Sequence, residues 1–414
     1  MTTKPAEDRR RTEPPMVPSA SASVRARAMV SVLTVAAFLI FAQAFMIAPI
    51  LPRLADVFST GVGVVGLAVP AYLIPYGLMS LTWGPLADRF GRRPIIQACL
   101  AAFVVVTALT AVMPGVGGFI AARVAAGVVA SGVVPVGVAL IGDVVPYTER
   151  GHALGWLFAG MAGGMAVGST AGALGEPLIG WQGLFIVVAA GSAVTALFTR
   201  TWVPAPVRRP GRVPGSAVAR GYLALLGNSR GRRTYGYVGL NAILQSGIYT
   251  WLGVYLHQRY GLQPVGIGLA LLGYGLPGFV FGPAIGRVAD RFGRAWLIPA
   301  GVAVGAGAAF ALAAPIPLAA AAVTVTVLSL SYDLTQPLLA GIVTDLPAQR
   351  GQSVALMAVI LFCGFGTGSL VFQAVLVLGF TPALSIFAVV AAVAAGYAVP
   401  TFAAERSAQP WGHS

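Results

Sequence analysis

Long stretches of the chain run almost without charge, and short polar, Arg-rich or Gly/Pro-rich breaks separate them. The apolar stretches approach or exceed the ~20 residues that a helix needs to cross a ~30 Å hydrocarbon layer. In order they give twelve spans, roughly 29–50, 64–86, 94–113, 117–141, 153–175, 181–199, 235–256, 265–286, 296–314, 317–341, 353–377 and 382–402. The pattern predicts an all-α membrane protein. Residues 1–28 are polar and rich in Pro, Ser and Arg, and read as a disordered cytoplasmic tail. They are not a signal peptide, because their charges lie too far from any cleavage-like site. Residues 404–414 read as a second short tail, and the longest connection, 200–234, falls between spans 6 and 7. It opens with Pro204, Pro206, Pro210 and Pro214. The weakly apolar stretch near Tyr222–Leu226 is too short to cross and reads as an interfacial helix.

Composition removes the soluble alternative. Hydrophobic residues make up 57% of the 414 and charged residues only 9%, against about a quarter in soluble domains. The net charge of +14 carries orientation: 23 of the 26 Lys+Arg fall in segments on one side if the N-terminus is cytoplasmic. Only Arg53 and Arg259 lie in opposite loops, and Arg123 lies within a span. This is a positive-inside pattern, with both termini cytoplasmic in a multi-pass cell-membrane protein. It removes nucleic acid as a partner, since the basic 200–234 segment lacks a core. Counting excludes further chemistry. Lys4 is the only lysine, so no phosphate-binding loop with its lysine exists. Cys99 and Cys363 both sit in apolar runs, and His152, His257 and His413 are scattered. No metal site, cofactor or enzymatic centre is expected.

Two segments repeat at an offset of 202 residues: Gly84-Pro-Leu-Ala-Asp88-Arg89-Phe90-Gly91-Arg92 and Gly286-Arg-Val-Ala-Asp290-Arg291-Phe292-Gly293-Arg294, identical at seven of nine positions. The same offset pairs Tyr72 with Tyr274, Pro75 with Pro277 and Asp143 with Asp345, and Arg150-Gly151 has a counterpart in Arg350-Gly351. The chain is thus two related six-helix halves, 29–199 and 235–403, joined by the linker 200–234. Parallel repeats of this kind hold substrate where the halves meet, near the bilayer midplane.

The run GPLADRFGRRP between spans 2 and 3 resembles the signature of the major facilitator superfamily, and the twelve-span plan fits it. Three further features resemble its drug:proton antiporter branch: Pro49-Ile-Leu-Pro52, Arg123-Val-Ala-Ala-Gly127, and the glycine-rich 160–175 stretch of span 5 followed by Gly180-Trp181. Span 5 departs from that branch's usual Gly-Pro pair, since Gly168 is followed by Ser169, Thr170 and Ala171. The resemblance implies two pseudo-symmetric six-helix bundles, alternating access, and proton-coupled efflux.

The signature has its own physical reading. Gly84 permits close helix approach where lipid offers no hydrophobic driving force, and Gly91 allows a tight turn. Asp88 lies beside Arg89, Arg92 and Arg93 and is placed to accept charge-assisted hydrogen bonds, or to face a neighbouring helix N-terminus. With Asp290, Arg291 and Arg294 these residues make a candidate cytoplasmic latch, closed when the cavity faces outward. The plainer alternative is an inside-positive anchor.

Ionisable residues within spans are functional candidates because burying them is costly. Arg123 lies ~9 Å into span 4, and Asp333 lies well inside span 10. The repeat maps them onto Val325 and Ser131, so both break the internal symmetry. Their register separates them by ~12 Å along the membrane normal, too far for a direct ion pair. Asp333 is the candidate proton carrier, its pKa raised by desolvation; the alternative is an acid bonded to neighbours such as Ser331 that never cycles. By resemblance, Arg123 contacts substrate or gates the proton site; the alternative is an arginine that satisfies buried backbone carbonyls. Span 7 carries Asn241, Gln245 and Tyr249 at i, i+4 and i+8, a polar stripe that should face the central cavity. Gln43, Phe45, Met161, Met165, Tyr274 and Gln336 are candidate companions there. Polar lining this sparse favours a small lipophilic or amphiphilic cargo over a sugar, with the choice between cation and anion open. The expected partners are that cargo, protons and the bilayer, and the expected state is a monomer. Competing readings are a transporter of a specific metabolite, a lipid translocator, and a non-transporting sensor or scaffold.

Overall fold

The computed structural model describes residues 20–146, 149–204, 215–274, 293–346 and 350–406, with the side chains of 20–23, 215–219, 350, 351 and 406 left aside. Its elements are helical throughout the described residues. The first half holds α1 (Ala20–Phe45), α2 (Leu51–Val57), α3 (Val62–Gly66), α4 (Ala68–Phe90), α5 (Arg92–Thr110), α6 (Val116–Ala130), α7 (Val133–Val144) and α8 (Arg150–Trp202). Helix α9 (Gly215–Gly227) lies in the linker. The second half holds α10 (Ser229–Tyr260), α11 (Pro264–Leu271), α12 (Arg294–Ala313), α13 (Leu318–Thr344), α14 (Arg350–Leu376) and α15 (Phe380–Thr401).

Two differences from the sequence reading have simple causes. The first helix opens at Ala20, inside the segment read as a tail, because the Ala/Ser/Val/Arg run 20–28 has no helix breaker. Spans 5 and 6 form one 53-residue helical trace in which only Gly180 (φ 69°, ψ 165°) leaves the helical region. The break is a single residue, so 176–179 are helical and not loop.

Nine helices among the described residues are long and apolar enough to cross a membrane. Helix α10 is not one of these, since Tyr, Gly, Asn, Gln, Ser and Thr dilute its apolar content. It is instead buried by protein along most of its length, the condition under which a polar helix is tolerated at membrane depth. Its ends are specified locally. The Asn228 side chain accepts from the Arg230 N–H (2.9 Å), and Gly261 stops the helix in the left-handed region (φ 67°) beyond His257 and Arg259.

Small residues decide the packing within each half. Gly160, Gly164, Gly168 and Gly172 recur every fourth residue on α8, and a Cβ on any of them would collide with the backbone of Thr34, Phe38 or Ala42 on α1 or of Met46 just beyond its end. The two helices touch backbone to backbone, the arrangement that dispersion and close packing favour in lipid. The second half repeats the device, with Gly364 and Gly368 of α14 set against Gly239 and Ile243 of α10.

The halves meet along α4 and α14. The Gln373 amide donates to the Gly63 carbonyl (2.8 Å), Trp251 packs on Gly66, Gly366 meets Ile74, and Gly77 meets Cys363. Gly253 rests on Ala48 and Pro49, and Gly268 on Ala173 and Leu174. These contacts lie from the middle of the helices to the end that carries the α3–α4 junction. Toward the opposite, basic end of α4, a Cβ on Gly84 would meet nothing within 4 Å. Among the described residues, the contacts between the halves run from mid-helix to the α3–α4 end, and Gly84 near the basic end of α4 is exposed.

Candidate functional site

Arg123 of α6 is fully buried. Its Nε donates to the Ala68 carbonyl (3.2 Å), Nη1 to the Gln43 carbonyl and side-chain oxygen (3.2 and 2.8 Å), and Nη2 to the Ala44 carbonyl (3.2 Å). The guanidinium lies 4.4 Å from the Tyr72 ring centroid, and the Tyr72 hydroxyl donates to the Ile40 carbonyl (3.3 Å). Gln43 extends the network by donating to Thr107 Oγ1 (3.3 Å). Helices α1, α4, α5 and α6 are tied together by one cation whose acceptors are all neutral. Gln43, a cavity candidate from the sequence, is turned into this hub. The guanidinium is fully enclosed in this conformation.

Asp333 of α13 is half-buried. It accepts from Ser329 Oγ (3.4 Å). The stripe on α10 gathers beside it. Asn241 donates to Thr335 Oγ1 (2.7 Å) and Gln336 Oε1 (3.3 Å), and Gln245 donates to the Tyr274 hydroxyl (2.8 Å). Both amides therefore point into the second half, where with Val302, Gly305, Ser331 and Phe387 they line a small cavity. Tyr249 alone of the stripe meets the other half, its ring 5.8 Å from Phe45 and 4.2 Å from Tyr274.

Around these rings stands an aromatic wall that sequence reasoning missed. Phe41 contacts Phe45, Tyr76 and Phe362 at centroid distances of 6.5, 5.7 and 5.6 Å. Tyr76 meets Phe362 at 4.6 Å, and Phe365 lies 5.9 Å from Tyr332. The wall joins α1 and α4 to α10, α13 and α14. Its only sequence signal is the Phe41/Phe45 and Phe362/Phe365 spacing, which ordinary packing shares. Met161 and Met165 of α8 are half-buried against the core.

The signature residues divide. Gly91 and its repeat partner Gly293 both turn at positive φ (96° and 78°). Arg92 pairs with Asp143 and also donates to the Ala139 carbonyl, so its charge goes to α7 and not to Asp88. The repeat partners Arg294 and Asp345 form the matching pair at 2.5 Å. Arg93 donates to the Arg200 carbonyl, and Arg89 lies over Phe90 (5.1 Å). Asp88 and Gly84 are both exposed, and among the described residues no atom stands within 4 Å of a Cβ placed on Gly84. Asp290 and Arg291, with Gly286, lie outside the described residues.

Two more ion pairs escaped the sequence reading. Glu176, 6% exposed, receives Arg53 Nε (3.1 Å) and ties α2 to α8. At the basic end Glu405 accepts from Arg230 (2.9 and 2.8 Å) and Arg233 (2.5 Å), closing the C-terminal turn onto α10. Burial alone would raise the Glu405 carboxyl, but the hydrogen bonds and charges of Arg230 and Arg233 outweigh it and hold it below its ordinary value. The same hydrogen bond to Glu405 raises Arg230. Among the described residues no group of His, Cys, Asp and Glu is arranged to hold a metal.

The sequence model of the Major Facilitator Superfamily matches residues 33–369 and, in a second alignment, 240–412. The chain belongs to the major facilitator superfamily. It is thus a membrane transporter of the twelve-helix, two-bundle fold, not an enzyme. Among curated superfamily relatives, the MFS-type transporter YceJ of Bacillus subtilis is 26% identical over 342 residues, 80% of this chain and 85% of that protein. The multi-drug resistance efflux pump PmrA of Streptococcus pneumoniae is 31% identical over 169 residues, 39% of this chain and 41% of that protein. Among solved superfamily structures, a bacterial homologue of the human lysosomal transporter Spinster, inward-facing and unoccupied, aligns with a TM-score of 0.74 and 17% identity. That alignment covers 96% of this chain and 100% of the other, and it speaks to the fold.

Proposed function

We propose that this transporter is a proton-coupled exporter of small hydrophobic or amphiphilic organic compounds, working by alternating access between its two halves. The basic end and both termini face the cytoplasm, the 23 basic residues being the orientation signal, and the protein acts as a monomer in the cell membrane. The observation that carries the reading is the unequal fate of the two interior charges. Arg123 spends its hydrogen bonds on neutral acceptors within the first half, so this interior cation is not offered to an anionic cargo. Asp333 stands half-buried, next in sequence to Tyr332, whose ring meets Phe365 in the aromatic wall. A carboxylate there changes solvent access as the halves rock, so it is placed to load a proton from one side and release it to the other. The neighbouring amides of Asn241 and Gln245 already bond to Thr335, Gln336 and Tyr274. Both amides are thus engaged within the protein, which supports a lipophilic cargo over a polyhydroxyl one.

In the outward-facing state, the exposed face of Gly84 and Asp88 becomes the latch that closes the basic end. Asp88→Asn should then slow transport with expression unchanged. The main test is purified protein in proteoliposomes under an imposed pH gradient, offered a panel of lipophilic dyes and sugars. Gradient-driven dye movement that Asp333→Asn abolishes is the expected result. Sugar movement alone would favour the metabolite reading, and no movement of either would favour a sensor or scaffold.

A further inference from the structure

At the α3–α4 end the halves press together largely through backbone and ring surface. The ion pairs Arg53–Glu176, Arg92–Asp143, Arg230–Glu405 and Arg294–Asp345 each stay within one half. A side-chain amide does cross the seam: Gln373 Nε2 of α14 donates to the Gly63 carbonyl of α3 (2.8 Å). The acceptor is prepared for it. Where α3 gives way to α4, the Leu67 N–H bonds the Val64 carbonyl (3.2 Å), and not Gly63, its acceptor in an unbroken α-helix. Glycine at 63 also lets the amide in, since a Cβ there would stand 3.0 Å from Gln373 Nε2. One turn earlier on α14, the Ser369 carbonyl accepts from the Trp251 indole (3.2 Å), and that ring is the surface on which Gly66 of α3 rests. Successive turns of α14 thus seat α3 twice, once through the shape of a ring and once by a hydrogen bond.

The fastening is weak for a stated reason. The Gly63 carbonyl only accepts, so the amide must present its N–H, and Gln373 Oε1 is left buried without a partner. An unpaired buried oxygen costs about as much as a hydrogen bond between helices contributes. When this end opens, both the N–H and the oxygen reach water, and the penalty disappears. An apolar side chain of the same length would carry no such penalty in the closed seam and would resist exposure on opening. Glutamine therefore fixes where α3 lies when the seam is closed and still lets it part.

We propose that Gln373 is the release latch of the transporter, the residue that sets how readily the halves part at the end opposite the basic one. The latch rests on the alternating-access reading above and is independent of cargo and of proton coupling.

The test reads opening through the reactivity of a buried cysteine. Ser369→Cys is nearly isosteric and fully buried in this conformation. It shares a face of α14 with Gln373 and with Gly366, which meets Ile74 across the seam. It is introduced together with Cys99→Ala and Cys363→Ala. Labelling of the full-length protein in lipid nanodiscs by N-ethylmaleimide is followed by mass spectrometry, so that the rate tracks the open fraction. Gln373→Asn keeps the amide but is one methylene too short to reach Gly63. It should label about three- to twentyfold faster than wild type, the range for one interhelical hydrogen bond in a membrane. Gln373→Glu keeps the length but sets a carboxylate against the Gly63 carbonyl at neutral pH, and should label fastest. Gln373→Met fills the same space with no unpaired oxygen, and should label more slowly than wild type. If Ser369→Cys folds poorly, Ala173→Cys, equally buried on the facing half, is the reporter. Rates that follow side-chain size alone, with Glu, Gln and Met alike, overturn the latch, as does Gln373→Met labelling as fast as Gln373→Asn. Equal labelling whatever stands at 373 overturns the latch and leaves alternating access standing. No labelling even in Gln373→Glu means this end does not open, and overturns both.

Discussion

Replacing Arg123 with leucine is the sharpest test of the hub in the first half. The change deletes four hydrogen bonds and the stacking on Tyr72. At the membrane average of ~0.6 kcal/mol per interhelical hydrogen bond, four bonds amount to roughly 2.4 kcal/mol. At ~1.5 kcal/mol, the lower value for charged donors, they amount to roughly 6 kcal/mol. The true loss should fall between these, because the freed Ala68, Gln43 and Ala44 carbonyls can relax toward the helical ladder while Gln43 Oε1 is left buried. Arg123→Lys should recover little, since one ammonium cannot fork to α1 and α4 together. The assay is thermal unfolding of the purified protein in detergent and in nanodiscs, with Gln43→Ala and the double variant closing a cycle. Gln43→Ala alone should cost about 1 kcal/mol, and the two changes should be strongly non-additive. Full wild-type stability in Arg123→Leu together with abolished transport would refute the clamp and return the residue to the transport cycle.

Four further outcomes follow from the packing and the ion pairs. Gly164→Leu should destabilise the first half by at least the ~1–3 kcal/mol of ordinary overpacking, seen as a lower melting temperature, because its Cβ has only the Phe38 backbone to push against. Gly77→Val should force α4 from α14 and speed maleimide labelling of Cys363, which now sits against Gly77; unchanged labelling kinetics would show the seam does not run through this pair. Exchanging the charges of Arg294 and Asp345 should restore expression lost in either single reversal, as expected for a pair at 2.5 Å. The Glu405 carboxyl is held below its ordinary value, so its contribution is complete above the unfolded carboxylate pKa and fades as pH falls through the lower folded one. Acid should therefore weaken wild type more steeply than Glu405→Gln in melts taken from neutral to strongly acidic pH.

The helices could be read from sequence because a span announces itself by twenty-odd apolar residues, and the repeat announced the halves. What the polar residues of those helices touch was less legible. Arg123 binds carbonyls of Gln43, Ala44 and Ala68, and a backbone carbonyl has no sequence signature. Asn241 and Gln245 share a face with Tyr249 in helical register, yet the amides turn to α13 and Tyr274 while the ring meets α1; a stripe gives a direction without saying which neighbour occupies it. Glu176 was hidden because Pro177 and Gly180 make 176–180 look like a loop, whereas only Gly180 leaves the helix. The aromatic wall draws on five helices, so no window of sequence contains it.

The internal repeat sorts these features by role. Arg92 with Asp143 and Arg294 with Asp345 occupy equivalent positions, as do the positive-φ glycines at 91 and 293. The glycine seams of α8 on α1 and of α14 on α10 are likewise the same device used twice. Each of these holds a half together, a task both halves share, and a rocking mechanism needs both halves rigid. The interior charges proposed to serve transport have no such twin. Asp333 maps onto Ser131, which accepts from the Trp83 indole (2.9 Å) within the first half. Arg123 maps onto the buried Val325. Directional transport requires that the two halves differ somewhere, because a perfectly symmetric pair would present cargo and proton with equivalent sites on each. Among the described residues the difference is carried by one carboxylate and one enclosed arginine, and that is where substitutions should change how transport is driven.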